Sequence, residues 1–130
     1  MSEPFYGEIR MFGFNYAPQN WAFCDGQIMS ISQNPALFSL LGCNYGGDCT
    51  TTFALPDLRG RVAIHRGQGP GLTNRTIAQS GGDETISSTA ALQGSQMPMQ
   101  QPKLEPDNNM QPFLTVNFCI ALYGIYPSRS

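Results

Sequence analysis

Few residues in this chain have side chains that could do chemistry. His65 is the only histidine, so any nucleophilic triad has a single imidazole to draw on. It sits in the alternating run Val62-Ala63-Ile64-His65-Arg66 and reads as a structural or surface residue rather than a base. No serine occupies a G-x-S-x-G elbow. Gly67-Gln68-Gly69-Pro70-Gly71 is glycine-rich like a phosphate loop, but a Walker A loop needs a lysine to reach the phosphates. The sole lysine, Lys103, is far along the chain, so these glycines serve a tight irregular turn. The acids Asp25, Asp48, Asp57, Asp83 and Glu84 contain no couple that would flank a glycosidic bond. Asp25 and Asp57 stand in turns, where local hydrogen bonding explains them. These residues point away from catalysis and imply no cofactor.

The four cysteines are Cys24, Cys43, Cys49 and Cys119. C-x₅-C is a poor zinc spacing and no C-x-x-C occurs, so no metal site is expected. Disulfides are the better reading for a protein that meets oxidising conditions. Cys43 and Cys49 flank a short glycine-rich loop and could close it. Cys24 and Cys119 could pair across a sheet or stay as buried thiols.

The elements that would position these groups are short. Gly7–Phe12 reads as a strand. Trp21–Cys24, the turn Asp25-Gly26 and Gln27–Ile31 read as a hairpin over 21–31. Asn34 or Ser32 can cap a helix, Pro35 suits its first turn and Gly42 its end. That predicts one short helix over 35–41, with Leu37, Leu40 and Leu41 on one stripe. Thr51–Leu55 is extended. Arg59–Arg66 alternates and reads as a strand with Val62 and Ile64 on one side. Glu84–Ser88 reads as one more short strand. Residues 93–112 hold five glutamines and four prolines without a period and read as a long loop or arm. Phe113–Tyr126 is the most apolar stretch and reads as a central or interface strand. The expected core joins Trp21, Phe23, Leu37, Phe38, Leu41, Leu55, Val62 and Ile64. The whole is expected to be α+β, mainly β, one domain over 1–130.

Composition narrows the function classes. Only 12% of the 130 residues are charged and the net charge is −2. Gly, Pro, Ser, Thr, Asn and Gln make up 60 positions. Four Glu and one Lys cannot supply the wet faces of an all-α bundle. Seven scattered basic residues do not make a nucleic-acid patch. No apolar run reaches 18 residues, so no membrane insertion is expected. The N-terminus lacks the pattern of a signal peptide, whereas an even cysteine count suits an oxidising destination.

The runs GEIRMF at 7–12, APQNWAFCDGQ at 17–27 and ISQNPALFSLLG at 31–42 are long and ordered. So are YGGD at 45–48, TTFALPDLRGRV at 51–62, HRGQGPGL at 65–72 and the closing NNMQPFLTVNFCIALYGIYPSR at 108–129. Together they resemble the phage tail collar domain family, in its single-domain bacterial branch often labelled microcystin-dependent proteins. The resemblance covers nearly the whole chain except about 74–107. It implies a tail-fibre or fibre-like structural part, often a homotrimer, and not an enzyme. Many relatives carry histidine-rich stretches where this chain has Gln96-Met97-Pro98-Met99-Gln100-Gln101-Pro102, so the resemblance brings no histidine metal site with it. Export with a particle or by a dedicated route would reconcile the absent signal with the cysteines. The destination implied is extracellular or virion-like.

The expected partner is the chain itself, as a homo-oligomer or filament, with little like-charge repulsion to oppose contact. Phe5, Met11, Phe12, Phe113, Phe118, Ile120, Tyr123 and Tyr126 are the candidate subunit contacts. The alternative is a trimeric tip that binds a receptor or glycan, with Trp21, Tyr45 and Tyr6 as stacking platforms.

Overall fold

The computed structural model describes residues 3–87 and 106–129. They form β1 (Ile9–Phe12), β2 (Trp21–Phe23), β3 (Ile28–Ser30), α1 (Pro35–Leu41), β4 (Thr52–Ala54), β5 (Thr85–Ser87), β6 (Pro106–Asn108) and β7 (Asn117–Ala121). The fold is α+β, mainly β, with the single short helix at 35–41 among the described residues. Two compact units result, one from residues up to 79 with 115 onward, the other from 80–114.

In the first unit β7 is the centre of a three-stranded antiparallel sheet in the order β1-β7-β2. Its β-branched and aromatic run suits a strand paired on both sides. Within 113–126, residues 117–121 form this central strand. Opposed residues of an antiparallel pair share a face. Ile9, Ile120 and Ala22 therefore line one face with Met11, Phe118 and Cys24, while Arg10, Cys119 and Phe23 line the other. The first face meets Leu37 of α1 and Phe53 and Leu55 of β4 and its exit. Leu37, Phe53, Leu55 and Ile120 are fully buried, each contributing about 1.5–3 kcal/mol of apolar burial. Phe38 and Leu41 pack against them partly buried, and the Phe38 and Phe53 rings lie 5.4 Å apart.

The helix forms as its sequence demands. Pro35 sits in its first turn, and the Gly42 N–H closes its end on the Phe38 carbonyl at 2.7 Å. Asn34 is the N-cap but makes no side-chain cap bond; its Nδ2 donates to the Ser30 carbonyl instead.

Several expectations are corrected here. Residues 21–31 are not a hairpin: β2 pairs with β7, and β3 pairs with β4 in a separate two-stranded sheet. Gly26 takes the turn at φ 77°, but the chain then bonds to 55–58 rather than folding back on itself. Leu55 N–H donates to the Gln27 carbonyl, Gly26 N–H to that of Pro56 and Leu58 N–H to that of Cys24. Residues 59–66 form no strand, and Val62 and Ile64 are 60% and 69% exposed instead of buried. Alternation alone gave them no partner strand. Trp21 and Phe23 are half-buried on the sheet face away from the main core.

Cys24 and Cys119 remain free buried thiols. Register opposes Cys119 to Phe23, so the pleat sends it to the face opposite Cys24, and no bond joins them. Burial pushes the Cys24 thiol up to about 12, helped by Cys119 and Asp25. Cys43 and Cys49 are disulfide-bonded, six residues apart, a closure worth about 2 kcal/mol against the unfolded chain.

In the second unit β5 pairs with β6 in a two-stranded ribbon, Thr85 opposite Asn108. The expected strand at 84–88 is thus present over 85–87. The arm expected at 93–112 contains β6 at its end; its residues 93–105 lie outside the described ones, as does Ser88.

Candidate interaction surface

Residues 4–6 and Ile125 are tied together within the first unit. Tyr6 N–H donates to the Ile125 carbonyl at 3.0 Å, and Ile125 N–H to that of Pro4 at 2.9 Å. Gly124 allows this approach, because a Cβ there would run into the Pro4 carbonyl. Phe5 thereby sits beside Ile125, half exposed.

From there β1 runs along β7 and leaves its other side without a strand among the described residues. The Ala121 N–H donates to the Glu8 carbonyl. Antiparallel ladders alternate, so Arg10 and Phe12 bond to β7 while Ile9 and Met11 turn their N–H and C=O outward. Ile9 and Met11 also expose their side chains, Met11 by 67%. This is an open apolar edge, of the kind that accepts another backbone. One charge pair flanks it: the Arg10 Nε donates to Glu8 Oε2 at 2.6 Å. The Phe5 N–H and Arg10 hold the Glu8 carboxyl below its usual value.

On the outer face of the same sheet the small central residues Cys119 and Ala121 are roofed by larger neighbours. Phe12 meets Trp21 edge-to-face at 5.2 Å, and the Arg10 guanidinium lies 5.3 Å from the Trp21 ring centroid. Phe14 and Tyr16 extend this aromatic row, with ring separations of 5.1 and 4.7 Å. Asn117 Nδ2 pins the row by donating to the Phe14 carbonyl at 2.7 Å. Phe14 and Tyr16 were missed in the sequence. The aromatic alternation Phe12, Phe14, Tyr16 was the signal for them.

A second aromatic group surrounds the helix start. Tyr6 lies 6.0 Å from Tyr123 and 6.3 Å from Tyr126, and the Tyr126 hydroxyl bonds Ser39 Oγ at 2.7 Å. Tyr6, Tyr123, Gln33, Asn34, Leu37 and Leu122 are among the residues that line a cleft of about 240 Å³.

The expected contact residues divide accordingly. Phe5, Met11, Phe113, Tyr123 and Tyr126 are exposed, and Phe12 is half-buried in the aromatic row. Ile120 is withdrawn: it is fully buried in its own core and cannot reach another subunit. Phe118 is half-buried against that core. Of the proposed stacking platforms, Trp21 lies beside Phe12 and beneath Arg10. Tyr45 is half-buried, and burial pushes its phenol up. Tyr6 lines the cleft. His65 is exposed and donates from Nδ1 to the Arg66 carbonyl.

Asp48 and Asp57 are held by local hydrogen bonds. Asp48 gathers the N–H groups of Thr50, Thr51 and Thr52 and the Thr51 hydroxyl, which hold its carboxyl well below the usual range. Arg59 does the same for Asp57 through its guanidinium and its N–H, bringing it to about 2. Both carboxyls bind fewer protons folded than unfolded. Their contribution is fully present above the ordinary value near 3.8 and is lost as the pH falls through the folded values. The thermal midpoint should therefore fall between pH 4 and 2, and Asp48→Asn should flatten that fall while lowering the midpoint at neutral pH. A midpoint constant across that window would show that these bonds do not stabilise the fold.

Residues 7–63, which span the open edge, the helix and the disulfide loop, match the family model of the Phage Tail Collar Domain. Over 72 residues the chain is also 36% identical to the Short tail fiber protein gp12 of Enterobacteria phage T4. That alignment covers 55% of this chain and 14% of the length of the phage protein. Neither match distinguishes the bacterial single-domain branch.

Proposed function

We propose that this chain is a non-enzymatic structural subunit of an extracellular fibre or phage-tail-like assembly, which associates with copies of itself. The open apolar edge of β1 carries the reading, and the tail-fibre relative supports it. A strand added at that edge gains main-chain hydrogen bonds, and Ile9 and Met11 supply anchors. A head-to-tail contact of this kind closes into a ring or runs on as a filament. Its place is on the outside of a virion or tail-like particle.

Lysine is the residue natural sheets use to block such edges. The double variant Ile9→Lys, Met11→Lys should therefore disperse the assemblies in sedimentation velocity. Both side chains are exposed, so the unfolding midpoint should stay within about 0.5 kcal/mol of the parent's stability. Deleting residues 1–12 is a poorer test, because it strips a paired strand from β7. A double variant that assembles like the parent removes the β1 edge as connector.

A second reading is a receptor- or glycan-binding tip. The tyrosine-lined cleft with Gln33 and Asn34 favours it, since sugar rings stack on aromatic faces and bond amides.

A further inference from the structure

The stretch after the collar match looks unfinished as a free surface. Between Leu58 and Gln79 the chain forms no strand or helix. It folds on itself through local bonds: Gly67 and Arg75 exchange backbone hydrogen bonds at 2.7 and 3.0 Å, and Gln68 Nε2 donates to the Leu72 carbonyl at 3.0 Å. This closed knuckle turns its large apolar side chains outward. Val62, Ile64, Leu72 and Ile77 are all exposed.

The same stretch is charged in one sense. It holds Arg59, Arg61, Arg66 and Arg75 and no acid. Arg59 is paired with Asp57, whereas Arg61, Arg66 and Arg75 make no ion pair among the described residues. The described residues 80–87 and 106–114 have the opposite balance, with Asp83, Glu84 and Asp107 and no lysine or arginine. They include the β5–β6 ribbon, beside which Asn109 ties Asp83 and Glu84 by bonds to both carbonyls. A two-stranded ribbon of three residues per strand is marginal in water without a partner.

We infer that the basic, apolar knuckle of residues 59–77 docks on the acidic β5–β6 ribbon of a second copy of this chain. The inference rests on the self-association proposed above and names a contact separate from the β1 edge. Each copy carries both halves, so the contact is head to tail and can propagate. Apolar side chains between the arginines fit a protein partner better than a polyanion, which would leave them in water. The charge complementarity fixes orientation and makes the contact weaken with salt.

The test uses two full-length variants and the parent in sedimentation velocity at about 50 mM salt, where Debye screening is weak. One reverses the knuckle, Arg66→Glu with Arg75→Glu; the other reverses the ribbon, Asp83→Arg with Glu84→Arg. All four side chains are exposed. Each variant alone should associate at least about tenfold more weakly than the parent. An equimolar mixture should regain association, because the knuckle of each variant then suits the ribbon of the other. Misfolding cannot produce that rescue. If either variant alone associates like the parent, or the mixture does not recover, the docking is overturned while self-association stands. A parent that stays monomeric at every concentration overturns both.

Discussion

Phe53→Ala should destabilise the first unit by about 3–5 kcal/mol, the range for removing a buried aromatic ring. Phe53 is fully buried on β4, opposite Met29 of β3 and 5.4 Å from the Phe38 ring. It belongs to the cluster that joins Leu37 of the helix to Ile120 of the central strand. Its loss would therefore open a cavity shared by both sheets and the helix. Stabilities of whole domains lie at about 5–15 kcal/mol, so the variant would sit near the edge of folding. Urea unfolding with an unchanged slope and a lowered midpoint is the expected result. Val62→Ala is the control: this side chain is exposed, and its loss should stay within about 0.5 kcal/mol. Equal costs for the two variants would mean that the core does not lie between β4 and β7.

Gly47→Ala should cost about 3 kcal/mol although it adds only one methyl group. Gly47 has φ 95°, where an L side chain is strained by about 1–3 kcal/mol. The methyl would also meet backbone, the Thr52 carbonyl oxygen at 2.7 Å and the Phe53 nitrogen at 2.9 Å. Backbone in a paired strand cannot step aside as a flexible side chain would. The loop is fixed from both ends, by the Cys43–Cys49 bond and by Asp48. Gly60→Ala separates the two causes. Gly60 has φ 67° with nothing within 4 Å of an added Cβ, so only the left-handed cost of about 1–2 kcal/mol applies. If both alanine variants unfold at the same midpoint, the loop has room and does not pack on β4 as described.

Local chemistry made the short elements legible, and distant pairing stayed hidden. The helix over 35–41 was readable because Pro35, Gly42 and the leucine stripe all act within one turn of it. The loop disulfide was readable for the same reason: its cysteines stand only six positions apart. The 21–31 hairpin failed because Asp25-Gly26 marks a turn without choosing a partner. The partner of β2 lies near residue 120, at the far end of the chain. Val62 and Ile64 failed in a related way. Their alternation suited a strand, but among the described residues no strand pairs with them, and their side chains are exposed. Cys24 and Cys119 show how much one register decides. Both are buried, as their residue type suggests, yet they stand on opposite faces of one sheet. Of the candidate contacts, Met11, Tyr123 and Tyr126 were legible as surface aromatics and apolars. Ile120 was not, because the same apolar run supplies both core and surface residues.

The central claim is self-association, and electron microscopy of the purified full chain at high concentration, with sedimentation velocity on the same sample, tests it most directly. The account predicts filaments or discrete homo-oligomers that the Ile9→Lys, Met11→Lys variant disperses. A chain that remains a folded monomer at every concentration would contradict it.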